Sequence, residues 1–261
     1  MLLLGFVVAL LIAACNSSQI IISNGGQDTH GCGTSALHCK TISYSVQQAN
    51  SSDLLFLKNG NYSGTGNCAV TISTPIQLYG ESVSNTIIHC EGVSGLNAQT
   101  ACSTMQSDTT PIFCINGSLT FPTVVVTINN LQFYRSTQIG IMTTKYTRIS
   151  MYNTRFVDAM QASVVSLNSD FNTIQSSTFI GCEGDVIEVS GQYNTVTDCT
   201  FENTYRTLSD QNAKRQLGLV VSIYNNHNVV ERCTFVRNTA TIISDTNFLD
   251  ADVGGGAIFV K

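Results

Sequence analysis

Two carboxylates and an arginine in the C-terminal half have the types and spacing that acid–base chemistry requires. Asp198 and Arg232 occupy the same position of a sequence repeat, and Glu231 stands beside Arg232. Because stacked strands lie about 4.8 Å apart, the two carboxylates could approach the separation found in glycosidases. The same positions also fit a solvated ion pair between neighbouring repeats, which is the interpretation that we favour. A catalytic role for these three residues is therefore kept as an alternative.

Two polar segments interrupt the repeat and could bind a ligand. The first covers roughly residues 205–218 and concentrates charge in a chain that is only 11% charged. Its candidate binding residues are Arg206, Asp210, Lys214 and Arg215. The second carries Asp245, Asp250 and Asp252, whose oxygens could hold Ca²⁺, but their spacing is not that of an EF-hand. We favour a solvated loop in both cases and expect neither a metal nor a cofactor.

The rest of the sequence offers little chemistry. The four histidines lack the spacing of a metal site, and there is no Gly-x-Ser-x-Gly elbow, phosphate-binding Gly-x-x-x-x-Gly-Lys loop or His-Glu-x-x-His motif. Twelve basic and 17 acidic residues give a net charge of −5. This charge disfavours nucleic acid and anionic lipid as partners.

The N-terminus and the cysteines indicate an exported protein. Residues 2–14 form an apolar run that is too short to span a bilayer, which predicts a signal peptide over 1–18 and a single domain over 19–261. Ile12–Cys15 is also similar to a bacterial lipobox, so lipidation of Cys15 stays open. No second apolar run follows, and no transmembrane helix is expected after signal removal.

Ten cysteines without a Cys-x-x-Cys pair predict disulfides. The candidates for local disulfides are Cys32, Cys39, Cys102 and Cys114. Three sequons predict N-glycosylation at Asn50, Asn61 and Asn116 if the chain follows a eukaryotic secretory route. These features constrain the surface of the protein and not its activity.

An internal repeat of about 22 residues must form the strands and turns that position the candidate site residues. Its phenylalanines, at separations of 23, 23, 22 and 34 residues, are Phe133, Phe156, Phe179, Phe201 and Phe235. Short alternating runs of apolar and polar residues, broken by Asn, Gly and Ser, indicate strands and turns. Such units bury their inner faces only when they stack, with every strand paired to its equivalents above and below. The repeat therefore predicts a parallel β-helix.

Further positions of the repeat carry structural predictions. Asn172, Asn194 and Asn228 recur at one position, where we expect left-handed backbone at a bend and an amide ladder between units. Cys199 and Cys233 recur at an inward position and are expected to stack as free thiols. Residues 41–49 predict a short amphipathic helix that caps the N-terminal end of the solenoid.

The opening of the chain resembles the pectin lyase-like, right-handed β-helix superfamily. The motifs that carry the resemblance are Cys32-Gly33, Cys39-Lys-Thr-Ile42, Asp53-Leu-Leu-Phe-Leu57, Asn59-Gly-Asn-Tyr62, Ile76-Gln-Leu-Tyr-Gly80 and Thr86-Ile-Ile-His-Cys90. Near the end, Phe235-Val-Arg-Asn238 and Gly255-Gly-Ala-Ile258 resemble elements of polymorphic outer membrane protein repeats. The resemblance implies an all-β, right-handed parallel β-helix. Enzymes of this architecture cleave acidic polysaccharides, but the polygalacturonase-type Asn-Thr-Asp, Asp-Asp, Gly-His-Gly and Arg-Ile-Lys signatures are absent from the sequence.

These observations favour a secreted or cell-surface scaffold whose Ser/Thr/Asn faces support adhesion or glycan binding without catalysis. Its expected partners are glycans or surface proteins. The alternatives are a polysaccharide lyase or hydrolase acting on pectin-like substrates, and a purely structural spacer. Residues 254–261 resemble the start of a new strand without a polar cap. We favour a truncated chain as the explanation; the alternatives are a partner that supplies the next repeat unit and self-association through the open edge.

Overall fold

The protein is described by a computed structural model that covers residues 17–91, 111–117, 123–136, 139–209, 220–243 and 258–260. Within these ranges the chain forms 24 strands, numbered β1 to β24 in chain order, and one helix, α1 (Ile42–Gln48). The strands form three parallel sheets. Each rung of the solenoid adds one strand position to every sheet.

Sheet 1 contains eight strands: β1 (Gln19–Ile22), β2 (Asp53–Leu57), β5 (Ile76–Gly80), β8 (Val124–Asn129), β11 (Thr147–Tyr152), β14 (Thr173–Gln175), β17 (Thr195–Thr197) and β21 (Val229–Glu231). Sheet 2 contains seven strands: β3 (Gly60–Ser63), β6 (Thr86–His89), β9 (Gln132–Tyr134), β12 (Arg155–Val157), β15 (Thr178–Ile180), β18 (Thr200–Glu202) and β22 (Thr234–Val236). Sheet 3 contains nine strands: β4 (Val70–Ile72), β7 (Phe113–Ile115), β10 (Ile141–Thr143), β13 (Met160–Leu167), β16 (Glu183–Val189), β19 (Tyr205–Ser209), β20 (Val221–Ile223), β23 (Thr239–Ile243) and β24 (Ile258–Val260). The predicted parallel β-helix is confirmed.

The phenylalanines of the repeat form an interior ladder along sheet 2. The register pairs Phe156 with Phe133 on one side and with Phe179 on the other. From Phe133 to Phe235, successive ring centroids lie 4.7 to 5.0 Å apart and the rings are within 7° of parallel. The spacing follows the strand separation, because each rung contributes one ring at the same inward position. The 22-residue period is thus the length of one rung.

The rung turns at three corners, and most described rungs place a residue with positive φ at each. At the corner between sheets 1 and 2 these residues are Asn130, Asn153, Ser176, Asp198 and Arg232. At the corner between sheets 2 and 3 they are Arg135, Asp158, Gly181, Asn203 and Arg237. At the corner between sheets 3 and 1 they are Tyr146, Phe171, Tyr193 and His227.

The repeated asparagines form the predicted ladder, but not with the predicted backbone. Asn194 Oδ1 accepts hydrogen bonds from the backbone N–H and from Nδ2 of Asn172, both at 2.8 Å. Asn228 Oδ1 accepts the equivalent pair from Asn194 at 2.8 and 3.1 Å. The expectation of left-handed backbone at the asparagines is wrong, since positive φ falls on the preceding residue, as at Tyr193. The corner residue makes the bend and the asparagine, directly after it, bonds to the neighbouring rung.

Helix α1 covers the N-terminal end of the core, as predicted. It buries Ile42 and Val46, and Thr41 acts as its N-cap by accepting the N–H of Tyr44 on its hydroxyl. The helix ends at Gln48 because Ala49 has extended backbone. Residues 1–16 of the predicted signal peptide lie outside the described residues. Among the described residues, no helix is long and apolar enough to cross a membrane.

The first polar segment starts later than predicted. Tyr205–Ser209 is strand β19, because Tyr205 pairs with Glu183 of β16 on one side and with Thr239 of β23 on the other. Val221 in β20 pairs with Ile187 of the same strand β16, so β19 and β20 together occupy one strand position. Strands β23 and β24 repeat this arrangement in the next rung. Strands β19 and β23 therefore end at the same place in sheet 3, at Ser209 and Ile243.

The cysteines fall into bonded and free groups. Cys32 is bonded to Cys39, one of the local loops that the sequence suggested, and Cys68 is bonded to Cys90, a pair that the sequence did not suggest. Cys114 is also disulfide-bonded, and Cys102 lies outside the described residues. The free thiols in the described part of the chain are Cys182, Cys199 and Cys233.

Candidate functional site

The structure brings together the three charged residues that the sequence singled out. Arg232 Nε donates to Asp198 Oδ1 at 2.7 Å, and Arg232 Nη1 donates to Glu231 Oε1 at 2.6 Å. Asp198 and Arg232 are corner residues with positive φ in successive rungs. All three side chains are well exposed, with Asp198 the least so at 35%. The cluster has the geometry of a surface ion pair between rungs.

The electrostatics of this cluster do not suit a catalytic acid. The hydrogen bonds from Arg232 hold the pKa of Asp198 below its ordinary value, whereas a general acid needs a raised pKa. One guanidinium also engages both carboxylates, which neutralises part of their charge. The cluster stabilises the corner and offers no observation in favour of cleavage.

Most of the other predicted binding residues lie outside the described residues. This holds for Asp210, Lys214, Arg215, Asp245, Asp250 and Asp252. The backbone of Arg206 lies in β19 and pairs with Ala240. Among the described residues, no three metal-ligating side chains come together. Of the three sequon asparagines, Asn50 and Asn61 are exposed and Asn116 is half-buried.

The predicted polar face is present on sheet 1. Thr127, Ser150, Thr173 and Thr195 follow one another in strict register across β8, β11, β14 and β17. Their side chains are half-buried. The row is regular along the described part of sheet 1.

A cleft of about 560 Å³ lies at the corner between sheets 3 and 1. Sequence reasoning did not identify it. Its walls come from residues 145–148, 168–171 and 190–192, together with Thr123 and Asn225. Because these are the turns of successive rungs, the cleft runs along the solenoid axis, and we call it the axial cleft. It is larger than a second concavity of about 250 Å³ near the N-terminus, which is lined by residues 35–38 and neighbouring turns.

Aromatic rings follow this corner from rung to rung. Phe171 and Tyr193 stack at 5.0 Å, and Tyr193 and His227 stack at 4.9 Å. Arg148 covers the free end of the stack, with its guanidinium carbon 5.2 Å from the centroid of Phe171. The stacked rings present their edges outward, since their faces are turned to one another. Tyr146 is as exposed as these rings, at 51%, but it has no ring contact within the described residues, so neither of its faces is covered by a stacked ring.

Amide and charged side chains complete the walls of the axial cleft. Gln192 Nε2 donates to Asn225 Oδ1 at 3.2 Å, which links the turns of two rungs. Asp170 Oδ1 accepts the backbone N–H of Gln192 at 2.7 Å, so this carboxylate is already used by the fold. Lys145 and Arg148 add two positive charges on the opposite side. The cleft combines an aromatic face, amides that donate and accept, and a small excess of positive charge.

A network of buried hydrogen bonds fixes the floor of the cleft. Ser169 Oγ donates to Thr143 Oγ1 at 3.0 Å, and Asn172 Nδ2 donates to the Ser169 carbonyl at 2.7 Å. Ser169 and Asn172 are almost fully buried, at the end of the asparagine ladder. Gly191 has no space for a side chain, since a Cβ there would meet the Ser169 carbonyl oxygen. The turns that form the walls are thus held rigidly, which preorganises the cleft for a ligand.

A little over half of the chain matches a known protein family. A family model described as a right handed beta helix region matches residues 112–253. This protein belongs to the right-handed β-helix family. The expected right-handed parallel β-helix is confirmed, whereas the polymorphic outer membrane protein-type repeat stays a prediction. No curated protein matches the sequence.

Solved structures with a similar course of the backbone have low sequence identity to this β-helix protein. Pectin methylesterase PemA from Erwinia chrysanthemi has 12% identity and a TM-score of 0.38, with 83% of this chain and 81% of that chain covered. Escherichia coli YbhC has 13% identity and a TM-score of 0.42, with 86% and 85% covered. ORF18 of Geobacillus virus E2 has 14% identity and a TM-score of 0.37; 85% of this chain is covered, but only 60% of that chain.

Proposed function

We propose that this β-helix protein is a secreted or cell-surface scaffold that binds glycans without cleaving them, and that the axial cleft is the binding site. The observation that supports the proposal is that the exposed Tyr146 and the linked amides of Gln192 and Asn225 line one cleft. The disulfides favour an oxidising, extracellular compartment.

The chemistry of the cleft matches that of a sugar. A pyranose ring has an apolar face of C–H groups, which packs on an aromatic ring, and hydroxyl groups on its edge, which both donate and accept hydrogen bonds. Tyr146 offers the ring. The Gln192 side chain offers its carbonyl oxygen as an acceptor and its second amide hydrogen as a donor, whereas Asn225 Oδ1 is already bonded to Gln192 and to the N–H of Asn226. The cleft is lined by equivalent turns about 4.8 Å apart, so polar groups recur along it. A linear glycan that lies along the solenoid axis can contact several rungs at once.

Binding to a glycan array tests the proposal. We compare the secreted full chain with Tyr146→Ala and Gln192→Ala, which remove the aromatic face and one amide. The matched control is Tyr79→Ala, since Tyr79 is also an exposed ring, at 38%, but lies on sheet 1 in an early rung. Loss of one stacked ring or of one buried amide contact is expected to raise the Kd about tenfold or more.

The outcomes separate the candidate functions. Retention of a glycan that is lost in Tyr146→Ala and kept in Tyr79→Ala supports the axial cleft. Equal retention by all variants places the ligand elsewhere on the solenoid and refutes the site. Cleavage of a polysaccharide panel by the native chain would establish an enzyme instead, and Asp198→Asn and Glu231→Gln would then show whether that cluster is responsible. Silence on both panels favours a structural spacer.

A further inference from the structure

The sequon at Asn116 packs directly against a wall of the axial cleft. Asn116 follows strand β7, and its Oδ1 accepts a hydrogen bond from Thr144 Oγ1 at 3.2 Å. The backbone N–H of Gly117 donates to the same hydroxyl at 3.1 Å. A Cβ at Gly117 would lie 2.5 Å from the Tyr146 carbonyl oxygen and 2.7 Å from that of Lys145. Gly117, the second residue of the sequon, therefore touches the backbone of two residues that line the cleft.

The hydrogen bond to Thr144 leaves the reactive atom of Asn116 available. N-linked glycans attach to Nδ2 of asparagine, and the bond to Thr144 uses only Oδ1. The sequons at Asn50 and Asn61 have no such position, because both lie in the first rungs and neither lines the cleft.

We propose that Asn116 is N-glycosylated when the chain is made in a eukaryotic secretory pathway, and that the attached glycan occupies the axial cleft. The second half of this inference rests on the proposed glycan binding. In the transfer, Asn116 Nδ2 bonds to the anomeric carbon of an oligosaccharide carried on a lipid diphosphate. The bond from that carbon to the phosphate oxygen breaks, the lipid diphosphate leaves, and the amide nitrogen loses one proton.

A tethered glycan next to its own binding site is a strong competitor. Short tethers give effective concentrations in the millimolar range, whereas an external glycan is present at much lower concentration. The apparent Kd for an external glycan is inversely proportional to the fraction of protein molecules whose cleft is empty. Removal of the tethered glycan is accordingly expected to tighten external binding about tenfold.

The test uses full chains secreted from a glycosylating insect-cell line. Ser118→Ala removes the sequon and leaves Asn116 in place, and Asn116→Gln removes the attachment atom. Asn61→Gln is the matched control, because it deletes a sequon remote from the cleft. Peptide mapping by mass spectrometry reports occupancy at each asparagine, and a glycan array reports binding. Endoglycosidase digestion of the native protein is expected to release the glycan at Asn61 faster than the one at Asn116, and Tyr146→Ala is expected to remove this difference.

The possible results are distinguishable. An unmodified Asn116 beside a modified Asn61 overturns the inference and leaves the proposed function intact. The inference also fails if Ser118→Ala binds external glycans no more tightly than the native chain, or if the endoglycosidase releases both glycans at equal rates. If no variant binds any glycan, the proposed function fails, while occupancy at Asn116 is still decided by mass spectrometry.

Discussion

Replacing Phe179 by alanine probes the interior ladder at its centre. The ring is fully buried and stacks on Phe156 at 5.0 Å and on Phe201 at 4.9 Å. Loss of a buried phenylalanine ring costs about 3–5 kcal/mol of unfolding free energy, because the apolar area is lost and a cavity remains. Each stacked pair adds about 0.5–1.5 kcal/mol beyond burial. We therefore expect Phe179→Ala to lie at the upper end of this range.

Phe171→Ala is the control for this prediction. Phe171 also stacks on an aromatic neighbour at 5.0 Å, but it is 50% exposed on the outer corner. We expect Phe171→Ala to lose about 1 kcal/mol or less of unfolding free energy, because a half-exposed ring buries less apolar area than a fully buried one. Urea unfolding followed by far-ultraviolet circular dichroism compares the two midpoints. Equal losses in the two variants would refute the argument that burial of the rings contributes most of the stability of the ladder.

Three further predictions follow from charges and thiols. Arg232 lowers the pKa of Asp198 in the folded state, so the stabilisation from this pair is present above the unfolded pKa of about 3.9 and is lost as the pH falls through the lower folded pKa. Arg232→Gln should therefore make the urea midpoint depend less on pH on the acid side. An unchanged pH profile would contradict this. Reduction of the Cys68–Cys90 disulfide, or replacement of both cysteines by serine, should lower the free energy of unfolding by about 3 kcal/mol in the same assay, because the disulfide closes a loop with a sequence separation of 22 residues. An unaltered urea midpoint would argue against this stabilisation. Burial raises the pKa of the Cys199 thiol to about 12, so mass spectrometry should find it unmodified by an alkylating reagent at pH 8 until the chain is unfolded, and rapid native labelling would disprove its burial.

The repeat predicted the interior more accurately than the corners. The phenylalanine ladder and the amide bonds between Asn172 and Asn194 follow directly from residue spacing. The position of the left-handed backbone did not, because positive φ falls on Phe171 and Tyr193, residue types that rarely adopt it. The expectation assigned the bend to the residue best suited to it by intrinsic preference. Stacking of successive rungs overrides this conformational preference, because the asparagine side chain must reach the equivalent asparagine of the neighbouring rung.

The segments that interrupt the repeat show a second limit. The charges after Tyr205 suggested a loop, but Tyr205–Ser209 pairs with β23 as a strand. A strand of this kind is recognised by its partner in the next rung and not by its own composition, which is polar and charged. The disulfide between Cys68 and Cys90 was not predicted, because the two cysteines occupy different positions of their rungs and the repeat does not align them.

The sequence by itself determined the parts of this protein that repeat. Residues that recur every 22 or so positions stack on their own equivalents, so their pattern specifies the sheets, the inward face and the surface ion pair of Asp198 and Arg232. Only the tertiary structure decided the axial cleft and the place of the Asn116 sequon beside it. Tyr146, Gln192 and Asn225 are unrelated in type and far apart in the chain, and they converge because the corners of successive rungs lie directly above one another.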